Sequence, residues 1–433
     1  MITLRISSRT TPQGLQRDDL KARLIYQSMA RSTEEKIAEL QNLYPDYGVD
    51  GLLDVLVSCG GSLKRSAQLL GDTTTPESSS KRFKSRQQQT LNRFLDVRLL
   101  PKAAIKTNGS KASRPIELHS KEDVESTLKY CTYHPNVLPL ELANKLLEAL
   151  SKDTSFKPNE FYLFGNKCIS NCKSRIFLPE NRIEPFYYNG KRVESYSTYS
   201  DEIMMAQILV EELVNDVLSQ RTALPFQVEA GKWEVQAVLS NSYSRDSNLD
   251  WHSDRLTNIG PHAIIASLSL GFTREFRVRR VHPSNSSTYS LRPQHNSLII
   301  MHAGFQEEYK HCVPFLPKNC NIPAEDVHPI SNDVRVNLTF RNYALTTKVF
   351  CKLCGFPMDL RRSFKDPSKR GLYIFQCSKS YTEENSFKEG RECKGFAFAC
   401  FKKKPPFTEF ETDGSRWIAD DDLEAKQAQR QLK

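Results

Sequence analysis

His252 and Asp254 stand one residue apart in Trp251-His-Ser-Asp254, and a further histidine, His311, follows after a long gap. Two imidazoles and a carboxylate make a three-point facial ligand set. Such a set suits Fe(II) and leaves coordination positions open for an oxidant and a co-substrate. Downstream, Arg335-Val-Asn337-Leu-Thr-Phe-Arg341 sets two guanidiniums on one alternating run. The planar fork of arginine clamps a carboxylate bidentately, so the pair suits a small dicarboxylate. Upstream, Asn241-Ser-Tyr243 offers neutral hydrogen-bonding groups for the same pocket. A lone His-x-Asp usually marks a turn, and a lone pair of strand arginines a solvated face. The ordered series points instead to an iron-type oxygenase centre.

These residues need a scaffold that brings them together. The chain offers amphipathic helices over 138–150 and 201–221. Strand-like runs follow at 235–238, 263–270, 276–281, 297–301 and 335–340, bounded by Gly, Pro and Asn. Helices first, then about seven or eight short strands without intervening helices, predict an α+β unit over 117–345. Its core is expected to be a two-sheet jelly roll (double-stranded β-helix) flanked by helices.

Over roughly 120–345 the chain resembles the AlkB-like Fe(II)/2-oxoglutarate dioxygenases, most closely those that repair alkylated bases. The words that carry the likeness are Asp250-Trp-His-Ser-Asp254, Ala266-Ser-Leu-Ser-Leu-Gly271 with Arg274 and Phe276, and Arg335 to Arg341. The resemblance implies that His252, Asp254 and His311 hold iron. It implies that Asn241, Tyr243, Arg335, Asn337 and Arg341 form the 2-oxoglutarate site. The family's reaction hydroxylates an N-methyl group, which collapses to formaldehyde and the free base.

A paired base hides its N-alkyl group, so the substrate must be single-stranded or flipped. Aromatics and arginines then stack on the base and grip phosphate. The candidates are Arg175, Tyr187, Tyr188, Arg255 and Arg274, with Arg277 on the strand after Arg274. Many repair members carry acids directly after His-x-Asp, where this chain has Arg255-Leu256. That departure leaves RNA or protein open as substrate beside DNA.

The remaining segments read as modules. Residues 33–71 predict a three-helix bundle: Thr33-Glu-Glu opens a helix with Ile37, Leu40 and Leu43 on one stripe, Pro45 stops it, and Gly60-Gly61 separates the later helices. The bundle resembles ubiquitin-binding CUE domains, whose contacts would fall at Leu43-Tyr44-Pro45 and Leu69-Leu70. Residues 72–116 are polar and basic, and read as disordered. Within them Gln88, Leu91, Phe94 and Leu95 resemble the PIP box that docks on the replication sliding clamp.

Cys351, Cys354, Cys377 and Cys393 have tetrahedral Zn spacing, with Cys400 a rival fourth ligand. With Gly371 to Cys377 and Phe396-Ala-Phe398, residues 346–404 resemble a GRF-type zinc finger that binds single-stranded nucleic acid. The motif's arginine is Leu372 here, and Arg370 is its substitute candidate. A tail over 405–433 and an N-terminal stretch over 1–32 complete the expected organisation.

Composition sets outer limits. No apolar run approaches the roughly 18 residues that span a bilayer, so no membrane insertion is expected. The first residues lack a secretory apolar core, and their arginines, serines and threonines leave a mitochondrial presequence as the lesser alternative. Eleven cysteines in 433 residues are too sparse for a disulfide scaffold, which favours a reducing compartment. The net charge of +10 concentrates over 81–115 and 348–404, which suits a polyanion partner if it is more than linker solubilisation. The combined expectation is a nuclear demethylase of alkylated DNA. Its rival is a non-catalytic adaptor for ubiquitin and nucleic acid.

Overall fold

A computed structural model describes residues 33–44, six positions between 52 and 67, and 114–431 with gaps at 164–165, 181–185, 189–190, 284, 318, 346–347, 380–392, 402–407 and 410–413. The chain divides into two compact units, Met1–Thr107 and Asn108–Lys433. In the first, the helix Thr33–Leu43 packs through Leu40 onto buried Leu52 and Leu56, and the Tyr44 hydroxyl donates to the Ala67 carbonyl at 2.7 Å. Leu43 stays exposed. Pro45, Leu69, Leu70 and the clamp-like segment Gln88 to Leu95 lie outside the described residues.

The second unit begins with β1 (Ile116–Leu118), β2 (Cys131–His134) and the helix Leu140–Lys152. Then come β3 (Lys157–Leu163), β4 (Asn166–Leu178), the short β5 (Tyr187–Tyr188), β6 (Lys191–Arg192) and β7 (Ser197–Thr198), and the helix Asp201–Ser219. After that helix come β8 (Ala237–Tyr243), β9 (Leu249–His252), β10 (Ile265–Gly271), β11 (Phe276–Arg280), β12 (Thr288–Leu291), β13 (Ser297–Met301), β14 (Tyr309–Val313) and β15 (Arg335–Arg341). The cysteine module adds β16 (Met358–Arg362), β17 (Tyr373–Cys377), β18 (Phe396–Ala399) and β19 (Thr408–Glu409), and the helix Leu423–Arg430 follows.

Two sheets form the jelly-roll core: a five-stranded one in the order β1-β12-β11-β14-β9, and a larger one in the order β2-β13-β10-β15-β8-β4-β3. The expected order of helices before strands needs correction, because β1 to β4 precede the long helix. The β3–β4 hairpin escapes a sequence reading because its Asn, Lys and Ser residues do not alternate with apolar ones.

The long helix starts where Ser200 accepts from the Ile203 N–H, with Asp201 and Glu202 in its first turn to favour the positive end of the helix dipole. Its Ile203, Ala206, Val210, Val214 and Leu218 are buried. They share one core with Leu146, Leu147 and Leu150 of the other helix and with Val336, Leu338 and Phe340 of β15. Each of the larger apolar side chains contributes roughly 1.5–3 kcal/mol by leaving water. Strict alternation then turns Arg335, Asn337, Thr339 and Arg341 to the opposite face, between the sheets.

The cysteine strands do not stand apart from the oxygenase. Leu256, Ile259 and Tyr309 share one apolar core with Leu360, Tyr373 and Trp417. Trp417, from the expected tail, stacks edge-on against His262 at 4.5 Å between ring centroids. No helix among the described residues is long and apolar enough to cross a membrane.

Candidate active site

β9 and β14 pair with His252 directly opposite His311, so the ladder itself brings the two imidazoles together, with ring centroids 4.2 Å apart. Asp254 lies just beyond the end of β9. Its Oδ1 is 3.6 Å from His252 Nε2 and 3.9 Å from His311 Nε2. All three ligand atoms fall within 4.8 Å of one another. His252 Nδ1 donates to the Asp250 carbonyl at 2.7 Å, which leaves Nε2 as the free lone pair facing the site. Burial, with help from His252, pulls the His311 pKa down to about 3, so that ring is neutral. Burial opposes ionisation of Asp254, but Arg341, His311 and His252 outweigh it and hold the carboxyl below its ordinary range. A neutral His311, His252 with its Nε2 facing the site, and an ionised carboxylate at this spacing fit a divalent iron ion.

The two arginines of β15 have different surroundings. Arg341 Nη2 donates to Asp254 Oδ2 at 2.6 Å, so this guanidinium braces the ligand carboxylate. Arg335 lies buried at the other end of the strand, donating Nη2 to Ser269 Oγ at 2.9 Å, with its guanidinium carbon 5.4 Å from the centre of the Tyr243 ring. Its Nε finds no acceptor, and among the described residues no carboxylate pairs with it. Burial pulls its pKa down to about 10. An unpaired buried cation is costly, and an incoming carboxylate removes that cost.

The β8–β15 register sets Tyr243 opposite Arg335 and Asn241 opposite Asn337. Burial also raises the Tyr243 pKa, which keeps its hydroxyl protonated and able to donate. The residues present therefore fit a dicarboxylate, for which Arg335 and Tyr243 would supply the anion contact. Asn337 has another occupation. Its amide nitrogen donates to Ser267 Oγ and the Leu268 carbonyl, both at 2.8 Å, and its oxygen accepts from Thr339. It ties β15 to β10 and has no group left for the co-substrate.

The substrate candidates separate likewise. Tyr188 lies beside the centre, its ring 5.9 Å from the Arg341 guanidinium carbon. The Tyr187 side chain lies outside the described residues. Arg175 requires correction: β4 pairs with β8 so that Arg175 opposes Ser240, in phase with Phe177 and Val238 under the helices. It therefore points away from the iron ligands, bonded to Asp153 at 2.6 Å and to Ser197. Arg274 also requires correction. It is 1% exposed and donates to the carbonyls of Ser244, Ser247 and Pro314, each at 2.8 Å, which makes it a loop anchor. Arg277 pairs with Glu275 at 2.6 Å. Arg255 reaches Asp359 of the cysteine module at 3.9 Å, and Leu256 opens a short helix whose apolar side is buried.

Gln306 carries no sequence signal beyond lying just ahead of His311. Its Oε1 accepts the Asp254 N–H at 2.7 Å, and it is buried. Tyr343, which neighbours Arg341, was equally unmarked, whereas Ser269 lies in the quoted Ala266 to Gly271 run without a role assigned to it.

Cys351, Cys354, Cys377 and Cys393 form a second cluster, with Sγ atoms 3.6 Å apart for Cys351 and Cys393 and 3.5 Å for Cys354 and Cys377. No disulfide joins them. A tetrahedral Zn–thiolate site has sulfur edges of about 3.8 Å. The four thiols fit such an ion, and Cys400 is not among them. Arg370, offered as an anion contact, is instead buried against Asp422 at 2.9 Å and Glu424 at 3.0 Å.

The jelly roll, the His-Asp-His centre and the two-arginine strand form an arrangement that could hold Fe(II) and a dicarboxylate co-substrate. Residues 130–341 match the model of the 2OG-Fe(II) oxygenase superfamily. The chain is 28% identical over 221 residues to the mouse (Mus musculus) alpha-ketoglutarate-dependent dioxygenase alkB homolog 3, covering 49% of this chain and 65% of that one. It is 24% identical over 231 residues to the Arabidopsis thaliana DNA oxidative demethylase ALKBH2, covering 48% and 65%. The chain thus spans just under two thirds of the length of these relatives. A solved 2OG-Fe(II) oxygenase family oxidoreductase from Burkholderia pseudomallei aligns with 13% identity and a TM-score of 0.35, covering 53% of this chain and 95% of that one.

Proposed function

We propose that the protein is an oxidative demethylase of alkylated DNA bases that works in DNA damage repair, coupling oxidation of 2-oxoglutarate to hydroxylation of an N-alkyl group. The observation that carries the reading is Arg335. A buried guanidinium without a carboxylate partner, beside Tyr243 and Ser269, calls for an anionic ligand in the same interior that holds His252, Asp254 and His311.

Iron and 2-oxoglutarate, when bound, supply the oxidising equivalent that inserts oxygen into the N-alkyl C–H bond. The chain's part is to position and to exclude water. His252, Asp254 and His311 would hold the ion, and Arg341 keeps Asp254 ionised. Arg335 and Tyr243 would take a carboxylate of the co-substrate, with Asn241 on the same face of the sheet. Tyr188, beside Arg341, sits where a flipped or single-stranded base would stack.

DNA as substrate is supported by the name of the Arabidopsis relative and by the basic blocks. The four-thiolate module is proposed to bind zinc and to add a single-strand contact through its basic and aromatic residues. The N-terminal bundle is proposed to bind ubiquitin, the segment at Gln88 to Leu95 the sliding clamp, and the protein to work in the nucleus.

The test measures formaldehyde released from matched methylated DNA, RNA and peptide substrates, with Fe(II) and 2-oxoglutarate present. Release with DNA is expected. Release with RNA or peptide alone would transfer the chemistry to that class. No release with any, together with a repair phenotype untouched by His252→Ala, would favour the adaptor.

A further inference from the structure

The cysteine module touches the oxygenase at the two segments that orient Asp254. One is 255–257, the continuation of the ligand loop. There the Thr257 hydroxyl donates to Asp359 Oδ1 at 3.2 Å and accepts the Leu360 N–H at 3.2 Å, and Arg255 lies 3.9 Å from Asp359 Oδ2. The other is 306–308, which carries Gln306, the acceptor of the Asp254 N–H. There Arg362 donates to the Glu307 carbonyl and to Glu308 Oε1, both at 2.9 Å, and the Tyr373 hydroxyl donates to Glu307 Oε1 at 3.3 Å. Ser253 closes the ring by donating to the Tyr309 carbonyl at 2.8 Å.

Asp359 and Arg362 are on β16, and neither belongs to the oxygenase sheets. Asp359 is 3% exposed, so its bond to Thr257 is shielded from water and holds its geometry better than a surface contact would. The 306–308 segment also runs directly into β14, which carries His311. One strand of the module therefore grips the chain next to two of the three ligands.

We propose that Asp359 and Arg362 are positioning residues for the iron centre, acting on Asp254 through Thr257 and Gln306, so that the folded cysteine module sets the geometry of the metal-binding carboxylate. This rests on the reading of His252, Asp254 and His311 as iron ligands. It assigns the module a role toward the centre that is separate from any contact with nucleic acid.

The experiment uses the full chain and the variants Asp359→Asn, Asp359→Glu and Thr257→Val. The last removes one hydroxyl and keeps the side chain's shape, so it reads the same contact if Asp359→Asn unfolds. Zinc content and melting temperature report the fold. Anaerobic titration with Fe(II) and 2-oxoglutarate, followed by the visible charge-transfer absorption of the chelate, reports the centre. Succinate formed per formaldehyde released reports coupling.

The expected result is unchanged zinc content, with half-saturating Fe(II) raised on the order of tenfold for Asp359→Asn and Thr257→Val, and more succinate per formaldehyde. Asp359→Glu is expected to recover part of the loss. Titrations that superimpose on wild type in folded variants would overturn the proposal. A wild-type protein that forms no chelate would instead overturn the iron reading itself.

Discussion

Arg335 and Arg341 share a strand and a face, yet their partners divide their roles. Arg341 is bonded to Asp254, whereas Arg335 is buried beside Ser269 and the Tyr243 ring, with no carboxylate paired to it among the described residues. Replacing Arg335 with Met should raise the 2-oxoglutarate concentration at half saturation by about 10- to 100-fold, since a charge-assisted hydrogen bond contributes roughly 1.5–3 kcal/mol. Iron affinity should change little. Arg341→Met should show the reverse order, weakening iron first, because it leaves Asp254 buried without its cation. Separate titrations with metal and co-substrate check both, and equal losses for the two variants would contradict the division. Arg175 supplies a control. Its removal should lower stability by about 1 kcal/mol through the lost Asp153 and Ser197 bonds and leave co-substrate binding unchanged, as read by melting and by the same titration.

At the level of elements, alternation explains why so much of the centre was legible. Val336, Leu338 and Phe340 face the helices and force Arg335, Asn337, Thr339 and Arg341 inward. The spacing of arginines, asparagine and tyrosine therefore encodes a common face in the sequence itself. Leu338→Ala should destabilise the domain by about 2–5 kcal/mol through the cavity it leaves between sheet and helices, and a melting curve reads it.

The substrate arginines were not legible in this way. Arg175, Arg274 and Arg370 are spent on Asp153, on loop carbonyls, and on Asp422 with Glu424. Those partners lie in distant segments, and no local pattern announces them. The β3–β4 hairpin was missed for a related reason: its polar residues form strands because the neighbouring β8 accepts them as an edge, not because they alternate. Gln306 and Asp359 are the clearest cases. Each is one polar residue in a run of ordinary composition, and only the packed structure shows what each one holds.

At the scale of the molecule, the first compact unit and the cysteine module with its tail make opposite predictions. Removal of residues 1–107 should leave iron and 2-oxoglutarate binding intact, since the oxygenase core lies wholly in the second unit. Removal of 346–433 should cost solubility and cooperativity, because it uncovers Leu256, Ile259, Tyr309 and His262 where Leu360, Tyr373 and Trp417 cover them. Gel filtration and calorimetry of the two truncations separate these outcomes. The charge distribution suits the proposed nucleic-acid partner: basic blocks before and after a more balanced stretch of sequence would give an affinity that falls as salt rises. The central claim is that this core oxidises N-alkyl groups on DNA by consuming 2-oxoglutarate. The most direct measurement is the yield of formaldehyde and succinate from a methylated single-stranded oligodeoxynucleotide, for wild type and Arg335→Met side by side. The account predicts matched yields of the two products in wild type, dependent on Fe(II), and a loss in the variant that excess 2-oxoglutarate recovers. Succinate without formaldehyde from DNA, or formaldehyde that persists without 2-oxoglutarate, would contradict it.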